Sequence, residues 1–180
     1  MVIKNRRRDL LPMLIQMKNK IWNYKYFCHI HSNKFRQEKF GNAWMDYLYQ
    51  NLLGSEEIIK DILDIFIIKD KIGFIFPEVF YKSTKLPFML SYKNKIHLNY
   101  VINKIFPGNK VGKKFKYPLS NMFWARVDAI KQVFGHKYIY MLKKKDFEND
   151  LILNNHFNEA FWLYVVKMNG YFYKTIFKGI

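Results

Sequence analysis

The chain has 180 residues, half of them apolar or aromatic, which is enough for one domain with a real core and is not the composition of a disordered chain. Lys and Arg number 31 against 14 Asp and Glu, and the net charge of +17 points to an anionic partner such as nucleotide phosphate, nucleic acid or lipid; a codon bias toward Lys, Asn, Ile, Phe and Tyr gives the same excess with no function attached. Cys28 is the only cysteine, which excludes an intrachain disulfide and a multi-thiolate metal centre and fits a reducing compartment.

Asp9 can cap a first helix in which Leu10, Leu14, Met17 and Ile21 recur at helical spacing, with Pro12 in the first turn where its missing N–H is harmless. Residues 24–30 are aromatic and β-prone, so a strand leads into a polar loop carrying His29 and His31. Trp44, Leu48 and Leu52 mark a helix that Gly54 ends. Ser55 then caps another, with Glu56 and Glu57 in its first turn and Ile58, Ile59, Ile62, Leu63 and Phe66 as its buried face. Residues 72–76 read as a short buried strand stopped by Pro77.

Residues 82–116 read as a peripheral excursion, with a helix around 96–106 closed by Pro107 and Gly108 and a basic loop after it. Strand 120–125, short helix 127–134, long helix 155–168 and strand 171–176 complete the chain. Strands alternating with helices predict an α/β fold with a largely parallel sheet, with Phe27, Phe74 and Phe123 on central strands. No apolar run reaches the roughly 18 residues that cross a bilayer, and the basic segment 1–9 is not followed by the apolar core of a signal peptide.

Six blocks in order carry a resemblance. They are Asn5-Arg6-Arg7-Arg8-Asp9-Leu10-Leu11-Pro12, Cys28-His29-Ile30-His31-Ser32-Asn33-Lys34, Trp44 through Leu52-Leu53-Gly54-Ser55, Ile72-Gly73-Phe74-Ile75-Phe76-Pro77-Glu78, Asn121-Met122-Phe123-Trp124-Ala125-Arg126, and His156-Phe157-Asn158-Glu159. Together they cover nearly the whole chain, which resembles the C-terminal part of the rhamnan synthesis protein F family of polysaccharide and O-antigen glycosyltransferases. The resemblance implies a Rossmann-like sheet of the glycosyltransferase A type, flanked by helices, with the first nucleotide-binding strands lacking. It implies transfer of a sugar from a nucleoside diphosphate donor to a polysaccharide or lipid-linked glycan acceptor, in the cytoplasm and peripherally at the inner face of the cell membrane.

Inverting transfer needs a carboxylate to take the acceptor hydroxyl's proton, a way to neutralise the departing diphosphate, and a pocket that fixes both sugars. By resemblance, an acidic residue in the helix eleven residues before a closing glycine serves as the base, and Glu159 precedes Gly170 by eleven, with His156 beside it. An exposed helical carboxylate is the plain alternative. Arg6, Arg8, Asp9, His29, His31 and Lys34 are the donor-side candidates, guanidinium forks being suited to phosphate oxygens. His29 and His31 stand where this fold presents a metal-binding motif, so they are also candidate ligands of a divalent ion, Mg or Mn, although two ligands do not make a site. Trp124 and Arg126 are expected on the acceptor side, the aromatic face against sugar C–H groups; strand alternation lets only one of Phe123 and Trp124 face the cleft. Two other readings are a basic protein stacking single-stranded nucleic acid and a non-catalytic partner of a split transferase. The ordered blocks and the lack of a nucleic-acid motif disfavour the first of these.

Overall fold

A computed structural model describes residues 10–31, 41–80, 92–110, 118, 121–135 and 157–177. In chain order the elements are α1 (Leu10–Met17), a 3-10 turn (Ile21–Asn23), β1 (Tyr26–His29), α2 (Gly41–Leu53), α3 (Glu56–Ile68), β2 (Ile72–Pro77), α4 (Tyr92–Ile105), β3 (Phe123–Arg126), α5 (Val127–Ile130), a second 3-10 turn (Lys131–Phe134), α6 (Phe157–Met168) and β4 (Phe172–Ile176). The expected α/β class is observed, with helices flanking a four-stranded sheet. Asp9, the expected cap of α1, lies outside the described residues.

Ser55 caps α3 as its sequence predicts, its hydroxyl accepting from the Ile58 N–H at 3.4 Å, and Glu56 and Glu57 sit in the favourable first turn. The far end of α6 closes with a Schellman turn: Gly170 adopts φ +76°, its N–H donates to the Lys167 carbonyl at 3.0 Å, and the Tyr171 N–H donates to the Val166 carbonyl at 3.1 Å. This turn feeds the chain straight into β4.

The strand order is β1-β3-β2-β4. β3 pairs antiparallel with both β1 and β2, while β2 and β4 are parallel, so the sheet is mixed and the expectation of a largely parallel sheet is corrected. Alternation of helix and strand dictates layers but not strand direction. Direction is decided by which neighbour a strand pairs with, and β3 inserts between two strands that run the other way. Phe74 and Phe123 do lie on the two central strands; Phe27, also expected there, lies on β1 at an edge of the described sheet.

Paired residues share a face, so the register sorts the side chains. Phe27, Phe74, Phe123 and His29 face α5 and α6, in a core where Phe123 packs on Phe74 at 4.3 Å and on Trp162 at 5.0 Å between ring centroids. Cys28, Trp124 and Ile75 face the other way, toward Ile62 and Phe66 of α3. A register shift between Ile72 and Phe74 lets Ile72 join the α3 side while Phe74 joins the α6 side. Gly73 is required there by close approach: a Cβ would meet the Ala129 and Tyr171 Cβ atoms at 2.6 Å. Within 82–116, the segment expected at the periphery, the described part is mainly α4. Its Leu98, Val101 and Ile102 are fully buried in the main core, and it packs against α6.

Candidate functional site

β1, β2 and β4 run in one direction, so their carboxyl ends gather at one end of the sheet, together with the start of β3. In open α/β sheets this is the end at which ligands bind. His29 closes β1 there and is buried, and its Nδ1–H donates to the Asn121 backbone carbonyl at 2.7 Å. That bond selects the tautomer with the proton on Nδ1. Asn121 is buried with φ 57°, a left-handed conformation Asn tolerates better than most residues, and its Oδ1 accepts from the Trp162 indole N–H at 2.8 Å. One residue thus joins β1, the entry to β3 and α6.

His31 follows two residues on. Its ring lies 6.0 Å from that of His29, and its backbone carbonyl accepts from the Tyr49 hydroxyl at 2.9 Å, which fixes the loop to α2. Glu159 belongs to the first turn of α6, one turn before Trp162. Positions three apart adjoin on a helix surface, and α6 runs from this end of the sheet toward the Schellman turn at the other. The structure therefore brings the backbone at 159 to the same end as His29 and His31.

Two further groups stand at this end beyond β2. The Tyr47 hydroxyl donates to the Glu78 backbone carbonyl at 3.2 Å, and the Thr175 hydroxyl donates to the Glu78 carboxylate at 3.1 Å. Burial, and then the Glu78 charge, push the Tyr47 phenol up to about 12. Glu78 is exposed, and it occupies the position just past a central strand where function is often carried.

Trp124 and Arg126 are placed differently from the other candidates. Trp124 pairs with Cys28, on the face away from His29, and its indole N–H donates to the Leu52 carbonyl at 3.0 Å. Arg126 donates from Nη2 to the Phe66 carbonyl and from Nε to the Ile72 carbonyl at 3.4 Å, its guanidinium lying over the Tyr26 and Phe66 rings at 5.6 and 5.7 Å. Leu52 and Phe66 are in the last turns of α2 and α3, whose carbonyls lack intrahelical partners. The two side chains that the sequence places beside a sugar thus tie down two helix ends. Arg6, Arg8, Asp9, Lys34 and His156 lie outside the described residues. Among the described residues no three His, Cys, Asp or Glu side chains gather to hold a metal ion, so the His29–His31 pair stands without a third ligand there.

Sequence reasoning did not single out Asn121, Trp162 or Tyr49, which hold the histidines and α6 in place. An Asn entering a strand is a faint signal of a left-handed residue, whereas nothing local marks Trp162, because its partner is 41 residues away.

Neither the curated proteins nor the solved structures compared with the chain include a match. The profile of rhamnan synthesis protein F matches residues 1–171. The match takes in every described element up to the start of β4, including both sides of the His29–Asn121–Trp162 junction, and the chain belongs to the rhamnan synthesis protein F family.

Proposed function

We propose that this protein is a glycosyltransferase component of polysaccharide synthesis, moving a sugar from a nucleoside diphosphate donor onto a growing glycan at the carboxyl end of its sheet. Membership of a rhamnan synthesis family carries the role in polysaccharide assembly. The observation that supports transfer chemistry at this end is the junction at which His29 of β1 and Trp162 of α6 both bond Asn121, with the His31 ring 6.0 Å from that of His29. In the reaction the acceptor hydroxyl oxygen bonds to the anomeric carbon as the bond from that carbon to the phosphate oxygen breaks. Glu159 takes the hydroxyl proton, and the nucleoside diphosphate leaves. His29 and His31 contact the donor sugar or phosphate, and Arg6, Arg8 and Lys34 neutralise the departing charge.

The test is transfer of labelled sugar from a panel of nucleoside diphosphate donors to lipid-linked and polysaccharide acceptors. Glu159→Gln keeps shape and hydrogen bonding but removes the proton acceptor, so turnover falls roughly 100-fold or more while donor binding stays nearly intact. Unchanged turnover in that variant overturns the role of Glu159. Failure of the unaltered chain to transfer from any donor overturns the reading itself.

A further inference from the structure

The segments that feed β1, β2 and β4 meet at the opposite end of the sheet, away from His29 and Asn121. They are the turn Ile21–Asn23 with Tyr24 and Lys25, the last turn of α3 with Lys69, Asp70 and Lys71, and the start of β4. Backbone bonds lace this end together: the Phe172 N–H donates to the Lys71 carbonyl at 2.8 Å, and the Val127 N–H donates to the Lys25 carbonyl at 2.9 Å. With strands spaced about 4.8 Å apart, the four strand ends span roughly 15 Å.

Large apolar side chains project here. Trp22, Tyr24, Ile67, Ile68 and Phe172 are 52, 60, 66, 78 and 66% exposed. Exposed Lys20, Lys25, Lys69 and Lys71 are interleaved with them against exposed Asp70, while Lys131 and Asp128 nearby pair with each other at 3.2 Å. We propose that this end of the sheet docks on an anionic lipid bilayer, with the five apolar side chains entering the boundary between headgroups and acyl chains and the four lysines meeting lipid phosphates.

Three features select a bilayer. Adjacent Ile67 and Ile68 close α3 as exposed apolar side chains, as insertion into a soft surface requires. Trp22 and Tyr24 carry a polar group on an apolar ring, the chemistry that settles at the headgroup level, and Lys stems can lie along apolar surface while their charges reach phosphate. The local charge excess complements anionic lipid, and a second copy of the chain docked face to face would set lysines against lysines. Strands of about five residues then hold the His29 end roughly 17 Å above the surface. None of this depends on the activity proposed above, because the readout is lipid binding alone.

The experiment is cosedimentation of the full chain with vesicles of phosphatidylcholine mixed with phosphatidylglycerol, and with vesicles of phosphatidylcholine alone. Binding is expected to the mixed vesicles only. Ile67→Ser with Ile68→Ser is expected to weaken it roughly tenfold or more, and Lys69→Gln with Lys71→Gln by about fivefold per lysine. These positions are exposed, so both variants keep the fold, which circular dichroism checks. No binding to mixed vesicles, or equal binding by the unaltered chain and both variants, overturns the proposal. So does a dimer of the unaltered chain that the isoleucine variant abolishes without any change in lipid binding.

Discussion

Arg126→Met separates a structural tie from a sugar contact, because the side chain keeps an unbranched apolar stem and loses its guanidinium and hydrogen bonds. Two charge-assisted bonds to the Phe66 and Ile72 carbonyls contribute about 1.5 kcal/mol each, and the contact of the guanidinium with the Tyr26 and Phe66 rings about 0.5 kcal/mol more. Arg126 is only partly buried, and water can replace some of what is lost, so the net cost is about 2 kcal/mol. With a urea slope of about 2 kcal/mol per molar, the unfolding midpoint followed by circular dichroism falls by about 1 M. Arg126→Lys, which keeps the charge but not the fork, falls between the two. A midpoint unchanged in Arg126→Met would refute the assignment of this guanidinium to the ends of α3 and β2.

Two other outcomes follow from packing and titration. Gly73→Ala puts a Cβ against two atoms fixed to backbone, Ala129 Cβ and Tyr171 Cβ, and is expected to cost about 1–3 kcal/mol in the same urea assay; a neutral result would mean α5 does not press on β2. Burial raises the Cys28 thiol from an ordinary 9.0 to about 12, and Tyr47 rises from 10.0 to about 12. The unfolded chain therefore loses these protons first and binds fewer of them, so stability is full below about pH 9 and falls as pH rises toward 12. Cys28→Ala should flatten the early part of that fall, and stability rising across the window would contradict the burial of both groups.

Much of the local structure was legible because its causes are local. Ser55 before two glutamates, Gly170 after a long apolar helix, and Pro77 after a β-prone run act within a few residues of where they stand, and each marks the expected boundary. The family blocks were legible as well, and the match over residues 1–171 spans them. The Phe123–Trp124 alternation was readable as an either-or, since neighbours on a strand face opposite ways. What chose between them was pairing with β1, which sets Phe123 beside His29 and Trp124 beside Cys28.

The sequence by itself thus determined the order of the main helices and strands, which residues are apolar enough to be core, and the family to which the chain belongs, while α4 and β3 begin at Tyr92 and Phe123, not at the expected 96 and 120. Only tertiary structure decided strand direction, and with it which segments share an end of the sheet. It decided that Trp124 and Arg126 spend donors on the Leu52, Phe66 and Ile72 carbonyls, that Asn121 joins His29 to Trp162, and that exposed apolar side chains and lysines share the far end. The physical reason is range. Capping, turns and periodicity act over a few residues, whereas these contacts link residues 41 to 92 positions apart, and their partners are chosen by the packing of the whole chain.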